Sequence, residues 1–449
     1  MTHKPQLDRS ARRGPLPPGP GSLHMVKVLL SLSRHDLVDL ADRYGDPLTI
    51  PTPLGPMVTT ISPEGNKAIF TADPDTFVPS VADAFDTVLK SSVLFQHGAE
   101  HRRARKLLAP PFHGARMRAY GNLMRDAAQH WAQRWQAGQP FTMLETAQAI
   151  TLDVIIRAVL GVSEKNSELT AQLRQEVLGW IHGFSPFIFL KPLRRDFFGL
   201  GPWARFLRNH ARLRQRIRAL IAEHRADLSG REDVLSLLLA VKDEQGNGLS
   251  DEEILDQLVT MVLAGHETTA VMLAWAFYLL HRHPPVLARL RAELVTLPDG
   301  EQAEPEAVAR LPFLEAVCNE TLRLYPPAHV IHRRLARPLS LLGWELPVGT
   351  IVGAGVYATH RLPSLYPQPQ QFQPERFLAR PLSPFEFLPW GGGARRCLGA
   401  PFALYEMKIV LATLLRSHRL QLLEAGEVKL AHRAGTVGPK GGIRMALAS

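Results

Sequence analysis

Between Ser250 and about His281 the chain commits itself to one long helix. Ser250-Asp251-Glu252-Glu253 is a capping box with acids in the first turn, a strong helix start. Apolar periodicity then runs on to His281, roughly 45 Å at ~1.5 Å per residue, enough to cross a whole domain. The longest apolar run, Ala270 to Leu280, falls short of the ~18 residues a membrane span needs, so none is expected. The middle of this helix, Ala264-Gly265-His266-Glu267-Thr268-Thr269-Ala270, is poor helix by propensity. A Thr hydroxyl there can bond the carbonyl four residues back and locally open the helix. Glu267 puts a carboxylate into an apolar stretch, which is costly unless it is paired or functional. A zinc site fails, because the HExxH pattern that His266-Glu267 begins has Ala270 in place of its second ligand. The residues alone also fit a slightly kinked helix whose polar groups are satisfied.

A second stretch carries different chemistry: Leu388-Pro389-Trp390-Gly391-Gly392-Gly393-Ala394-Arg395-Arg396-Cys397-Leu398-Gly399. Three glycines let a backbone approach something flat and take turns that side chains forbid. Two arginines offer forks for carboxylates or phosphates. Cys397 precedes an apolar helix pattern, where backbone N–H groups favour a thiolate that binds a soft metal or attacks an electrophile. An inert buried thiol fits the residues as well, whereas neither phosphate-loop spacing is present. Elsewhere His101 and Arg105 stand four apart, sharing a helix face that suits an anion or a solvated basic surface. Glu320 and Arg323 are three apart among apolar residues, and Pro374-Glu375-Arg376-Phe377 follows.

These stretches resemble the cytochrome P-450 superfamily. Its heme loop F-x-x-G-x-R-x-C-x-G matches at Gly393, Arg395, Cys397 and Gly399, with Trp390 where the family usually has Phe. Ala264 to Thr269 match [AG]-G-x-[DE]-T-[TS], Glu320 to Arg323 match ExxR, and 374–377 match PERF. The resemblance covers roughly residues 25 to 447. It implies a mainly α fold with a smaller β region (α+β), a single domain over 22–449 behind a loose Pro-rich tail, 1–21. Heme b would lie between the long helix and the cysteine loop, ligated by Cys397 and lined by Trp390, Gly391, Arg395 and Gly399. His101, Arg105 and Arg333, with Arg334 as the near alternative, would bind its propionates. Ala264 and Gly265 would leave room for heme, dioxygen and substrate. Thr268 would hold a water or the bound oxygen, and Glu267 would help deliver protons. Glu320, Arg323 and Arg376 would form a structural network holding the loop. The pocket would include Val88, Phe184, Phe187, Ala264, Val330 and Val437. In it the apolar segment from Trp180 to Leu190 would be a lid, and Thr436 and Val437 would lie at a hairpin tip spanning 434–438. Arg102, Arg103 and Lys106 would serve partner docking.

With no N-terminal anchor read in the sequence, the chain resembles the soluble bacterial type of this family. The 449 residues hold two cysteines, Cys318 and Cys397, too few for a disulfide framework and compatible with the cytoplasm. The net charge of +10 invites an anionic partner, but no nucleic-acid module accompanies it. The resemblance implies a ferredoxin or flavodoxin with its reductase, NAD(P)H acting only through them, O2 as co-substrate and a monomeric enzyme. A lipophilic substrate such as a fatty acid, terpene, steroid or macrolide is expected. A heme-thiolate peroxygenase, isomerase or dehydratase, and a non-enzymatic heme sensor, stay open. Near the N-terminus, Leu37, Leu40, Ala41 and Tyr44 suit an amphipathic helix, and 48–50 with 57–61 read as a hairpin turning at Gly55-Pro56.

Overall fold

The computed structural model describes residues 16–21, 36–52, 55–80, 88–112, 114, 116–162, 167–181, 183, 194, 199, 201–298, 303–433 and 435–448. Twelve helices of seven residues or more carry it among these residues: α1 (Asp36–Tyr44), α2 (Pro63–Thr71), α3 (Gly98–Leu108), α4 (Arg116–Ala132), α5 (Met143–Ala158), α6 (Ser167–Ile181), α7 (Pro202–Ala226), α8 (Val234–Ala240), α9 (Asp251–Arg282), α10 (Pro284–Val295), α11 (Pro312–Leu324) and α12 (Ala400–Ser417). Helix α9 is the axis of the domain. Both bonds of its capping box form, Ser250 with the Glu253 amide and Glu253 with the Ser250 amide. Ile254 to Val262 and Ala270 to Leu280 sit at its buried face or wholly inside the core. Helix α5 packs along it most extensively, with α7, α11 and α12 on its other sides. By length and composition α9 is apolar enough to cross a membrane, but 72% of its most apolar window is buried inside the protein. The protein itself therefore takes the place that lipid would have.

Among the described residues the β region is built from twelve short strands. In chain order they are β1 (Leu48–Thr52), β2 (Gly55–Thr60), β3 (Phe77–Val78), β4 (Phe141–Thr142), β5 (Ile331–Leu335), β6 (Leu339–Leu341), β7 (Trp344–Leu346), β8 (Ile351–Ala354), β9 (Leu420–Leu422), β10 (Leu430–Arg433), β11 (Thr436–Pro439) and β12 (Arg444–Leu447). The largest sheet has the order β1-β2-β8-β5-β3, with β2 and β8 parallel and the other pairs antiparallel. It places β5, and with it Arg333, beside the cysteine loop. The small hairpin of β10 and β11 lies against α9. The mainly α architecture with a smaller β region is the one the sequence led us to expect.

Three local expectations change. Gly55 and Pro56 are strand residues opposite Thr52 and Pro51, not turn residues. Arg433 pairs with Thr436 and His432 with Val437, so 436–437 are buried ladder positions and the hairpin tip is shorter than expected. Leu16 to Gly21 are not loose. Thr49 donates its N–H to Pro18 O at 3.0 Å and its hydroxyl to Pro17 O at 2.6 Å. Prolines lack an N–H but keep their carbonyls, so a Pro-rich segment can still cap a sheet edge as an acceptor. Segments 1–15 and 22–35 lie outside the described residues.

Removing the hydroxyl of the α9 cap tests the start of this axis. Ser250→Ala is expected to cost about 1 kcal/mol of stability, read from chemical denaturation.

Candidate active site

The cysteine loop is a set of backbone turns closed by hydrogen bonds. Gly391 N–H donates to Leu388 O at 3.0 Å, Arg396 N–H to Gly393 O at 3.1 Å, and Cys397 N–H to Trp390 O at 2.8 Å. Gly391 and Gly393 have positive φ, 67° and 63°, which a side chain would strain. The flat group that the glycines approach is Phe70 of α2. A Cβ at Gly392 would lie 2.6 Å from its ring, and one at Gly393 would collide with its carbonyl. The glycines thus seat the loop on α2. Trp390 is half-buried against the main core.

Cys397 ends the loop just before α12, with Gly399 as the N-cap. Its side chain is accessible. Surrounding protein nevertheless pushes its pKa above the usual thiol value, while the Gly399 and Ala400 N–H groups and the Arg105 and Arg396 charges pull it back. The helix start alone therefore does not make a thiolate here. A bound metal ion does so outright, because coordination deprotonates a thiol.

Beside the loop lies a cluster of cations. Arg105 donates to Arg396 O at 2.6 Å, Arg333 to Gly392 O at 3.0 Å, and Arg395 to Leu94 O at 3.4 Å and to Gln96 O. His101, 4% exposed, has its pKa lowered to about 4 by burial and then by Arg395, Arg105 and Arg333. Burial and neighbouring arginines bring Arg333 and Arg395 down to about 10. Among the described residues no carboxylate pairs with Arg105, Arg333 or Arg395. Arg333 also lies over the rings of Phe70 and Phe77. Arg334 turns the other way, onto Gly349 O at 2.9 Å. Arg102, Arg103 and Lys106 are engaged with acids: Arg102 with Asp75, Arg103 with Asp243 and Glu253, and Lys106 with Glu244. Arg103 is thereby a tie between α3 and the entry to α9, while Arg102 and Lys106 keep more than half of their side-chain surface exposed.

In α9 the expected back-bond is present, Thr268 donating to Ala264 O at 2.6 Å, yet the helix stays regular through it. Ala264 is exposed and Thr268 half-exposed in the middle of an otherwise buried helix. Gly265, half-buried beside Ala264, also meets α5. Its missing side chain faces α5, where a Cβ would lie 2.9 Å from Ile155 Cδ1, so the glycine lets two helices close. Glu267, 6% exposed, accepts a bond from Gln148 of α5 at 2.7 Å. His266 is met by Thr151 at 3.1 Å. Of the expected pocket residues, Ala264 and Val330 are accessible. Val437 is nearly enclosed and Val88, 3% exposed, is packed in the core. Phe184 and Phe187, like 188–190, lie outside the described residues.

The Glu320–Arg323–Arg376 network forms. Arg323 is bidentate on Glu320 at 2.6 and 2.8 Å with both side chains fully buried, and Arg376 reaches Glu320 at 3.0 Å. Among the described residues none of the three hydrogen-bonds the cysteine loop. Their other partners are the carbonyls of His360, Pro367, Pro369 and Gln371, the Gln373 amide and the Gln373 side chain. Gln148, Asn66, Phe70 and His360 were not singled out from the sequence. Their partners lie far away along the chain, and no local spacing marks them.

The donor set fits an iron porphyrin: a soft, accessible sulfur for the metal, and an uncompensated cationic cluster for two carboxylates. A fold of this kind with such a site defines a heme-thiolate oxidoreductase. The sequence profile of the cytochrome P450 family matches residues 14–444, and the chain belongs to that family. It is 36% identical over 415 residues to cytochrome P450 137 of Mycobacterium tuberculosis, covering 91% of this chain and 84% of that one. It is 34% identical over 444 residues to cytochrome P450 135A1 of the same species, covering 96% and 95%. The structure of retinoic acid-bound cyanobacterial CYP120A1 superimposes with a TM-score of 0.80 at 26% identity, over 91% of this chain and 93% of that one. The cytochrome P450DA heme domain shares the fold, with a TM-score of 0.84 at 22% identity over 97% and 98%. Membership makes the protein a heme-dependent monooxygenase.

The buried His101 has a pH signature. It stays neutral in the folded apoprotein down to about pH 4 but takes up a proton near pH 6.5 when unfolded. Stability present above pH 6.5 is therefore lost as pH falls toward 4, by about 3 kcal/mol. Denaturation of apoprotein against pH should show this slope, and His101→Asn should flatten it.

Proposed function

We propose that this P450 inserts one oxygen atom from O2 into a lipophilic substrate, with heme b held by Cys397. Thiolate-ligated heme iron supplies the oxygen activation, the sulfur's electron donation favouring O–O cleavage. The observation that carries the reading is the accessible Cys397 thiol at the α12 start, beside the cations of Arg105, Arg333 and Arg395 and the neutral His101. In this reading Arg105, Arg333 and Arg395, with His101, meet the propionates and exclude water from that edge.

Thr268 and Glu267 supply the proton chemistry. Thr268 has its hydroxyl at the accessible middle of α9, where it can hand its hydrogen from Ala264 O to a water or substrate oxygen. Glu267 is reached by Gln148 and stands one residue away, a buried acid that relays protons to that hydroxyl. Ala264 leaves the substrate side of α9 open, and Val330 adds an accessible apolar side chain. The cyanobacterial neighbour has retinoic acid bound, a largely apolar ligand, which supports this reading. Fatty acids, terpenes, steroids and macrolides share that character. Electrons come from a separate ferredoxin or flavodoxin and its reductase, drawing on NAD(P)H. Exposed Arg396, next to Cys397, with Arg102 and Lys106, offers that partner a basic face. In this reading the enzyme works as a cytoplasmic monomer.

The carbonyl spectrum of the reduced holoprotein tests the ligand. A strongly red-shifted Soret band is expected, and Cys397→Ser should abolish it; a red-shifted band surviving in that variant would refute the assignment. Thr268→Ala should keep heme and substrate binding. Its product per reductant should fall by roughly tenfold or more, with hydrogen peroxide released instead. Unchanged coupling would remove Thr268 from the proton path.

A further inference from the structure

Among the described residues no hydrogen bond joins the Glu320–Arg323 pair to the cysteine loop, yet one side chain bonds both Arg323 and Leu388. His360 is fully buried at the C-terminal end of the short helix Val356–Thr359. Its Nδ1 lies 3.2 Å from the carbonyl of Arg323, and its Nε2 lies 3.0 Å from the backbone nitrogen of Leu388. We propose that His360 positions the cysteine loop, by holding the Leu388 amide to the carbonyl end of the helix that carries Glu320 and Arg323.

Hydrogen-bond chemistry fixes how it does so. The Leu388 amide can only donate, so Nε2 must present a lone pair. The Arg323 carbonyl can only accept, so Nδ1 must carry the hydrogen. One neutral tautomer satisfies both. Burial and the charges of Arg323 and Arg361 hold the ring's pKa well below its ordinary value, so no second proton competes for Nε2. The ring plane is set by stacking on Phe387 at 5.3 Å and by the edge of Tyr366 at 6.2 Å.

The consequence reaches the sulfur in two steps. Leu388 opens the turn whose Gly391 N–H returns to Leu388 O, and Pro389 offers no amide of its own. Within that turn the Trp390 carbonyl accepts the Cys397 N–H at 2.8 Å. Fixing Leu388 therefore fixes the acceptor that orients Cys397. Neighbouring tethers lie just upstream: Asn66 donates to Phe385 O at 3.1 Å and Tyr366 to Glu386 O at 2.9 Å. His360 alone among these three also bonds α11.

This inference rests on Cys397 being the heme ligand, and its test separates the two. The readouts are the rate at which the thiolate-type carbonyl band of the holoprotein is lost on warming, the heme reduction potential, and hydrogen exchange of the Leu388 amide. His360→Phe should lose the band roughly tenfold faster than the parent, with a shifted potential, because a buried amide is left without its acceptor. His360→Gln places an oxygen where Nε2 stood and should stay close to the parent. His360→Asn keeps a donor only toward Arg323 and should behave like the Phe variant. Parental band stability and potential in His360→Phe would overturn the proposal. Should that variant not fold, equal behaviour of Gln and Asn would overturn it instead. Fast exchange of Leu388 in the parent would do so without reference to heme. A parent with no thiolate-type band would refute the ligand assignment and leave the exchange test standing.

Discussion

A guanidinium cut off from water must find acceptors for five N–H groups inside the protein. Arg323 finds all five. Nε and one Nη2 hydrogen go to Glu320, the other to Gln371 O, and Nη1 serves the carbonyls of His360 and Pro369. Removing one partner of such a pair costs about 3–5 kcal/mol, far more than an exposed pair is worth. The chain from 360 to 373 must therefore wrap around the end of α11, with its carbonyls turned inward. Glu320 completes the wrap by accepting from the Gln373 amide and from Arg376. The wrap also brings His360 and Arg361 back over the end of α11, where Arg361 donates to Leu324 O. The last carbonyls of a helix have no partners within it, and here two side chains from the wrap supply them.

The second constraint is α9. Enclosed on several sides, it can admit polar residues only where another element meets them. Glu267 is met by Gln148 and His266 by Thr151, both on α5. The close packing that brings those donors within reach needs a small residue at the contact, and Gly265 supplies it against Ile155. The exposed Ala264 and the half-exposed Thr268 mark the part of the helix that α5 does not cover. The packing face and the open face thus alternate over four residues, which is what a 3.6-residue period makes possible.

Much of this was legible in the sequence wherever a signal is local. The Ser250–Glu253 box, the Glu320–Arg323 spacing and the turn-forming glycines before Cys397 each act within a few residues, and each forms. What was not legible depends on partners distant in the chain. Nothing near Gly392 announces Phe70, 322 residues earlier, and nothing near His360 announces Leu388. The contact of Gly265 with α5 was not legible either, because a glycine states that space is needed without stating on which side. The N-terminal prolines misled for a related reason. Composition reports that Pro17, Pro18 and Pro20 cannot donate to a ladder, but not that Thr49 needs an acceptor there. Chain order alone did not separate Arg333 from Arg334. Alternation along β5 does, since adjacent strand residues face opposite ways.

The cationic cluster closes the argument, because it binds the loop and the proposed anion site into one structure. Three arginines and a neutral histidine share a small volume, and like charges this close repel more strongly when buried. Backbone carbonyls offset part of that cost, and two of them belong to the cysteine loop itself, Gly392 and Arg396. The loop is thus held by the same guanidinium groups that would receive a dianionic ligand. A ligand bringing two carboxylates relieves the repulsion without breaking those bonds, since each guanidinium has N–H groups to spare. Ligand binding to the folded state alone then stabilises the fold by mass action. Heme loading, loop order and global stability are in that case one coupled equilibrium, with the sulfur placed from one side by Arg105 on Arg396 O and from the other by the His360–Leu388 bond.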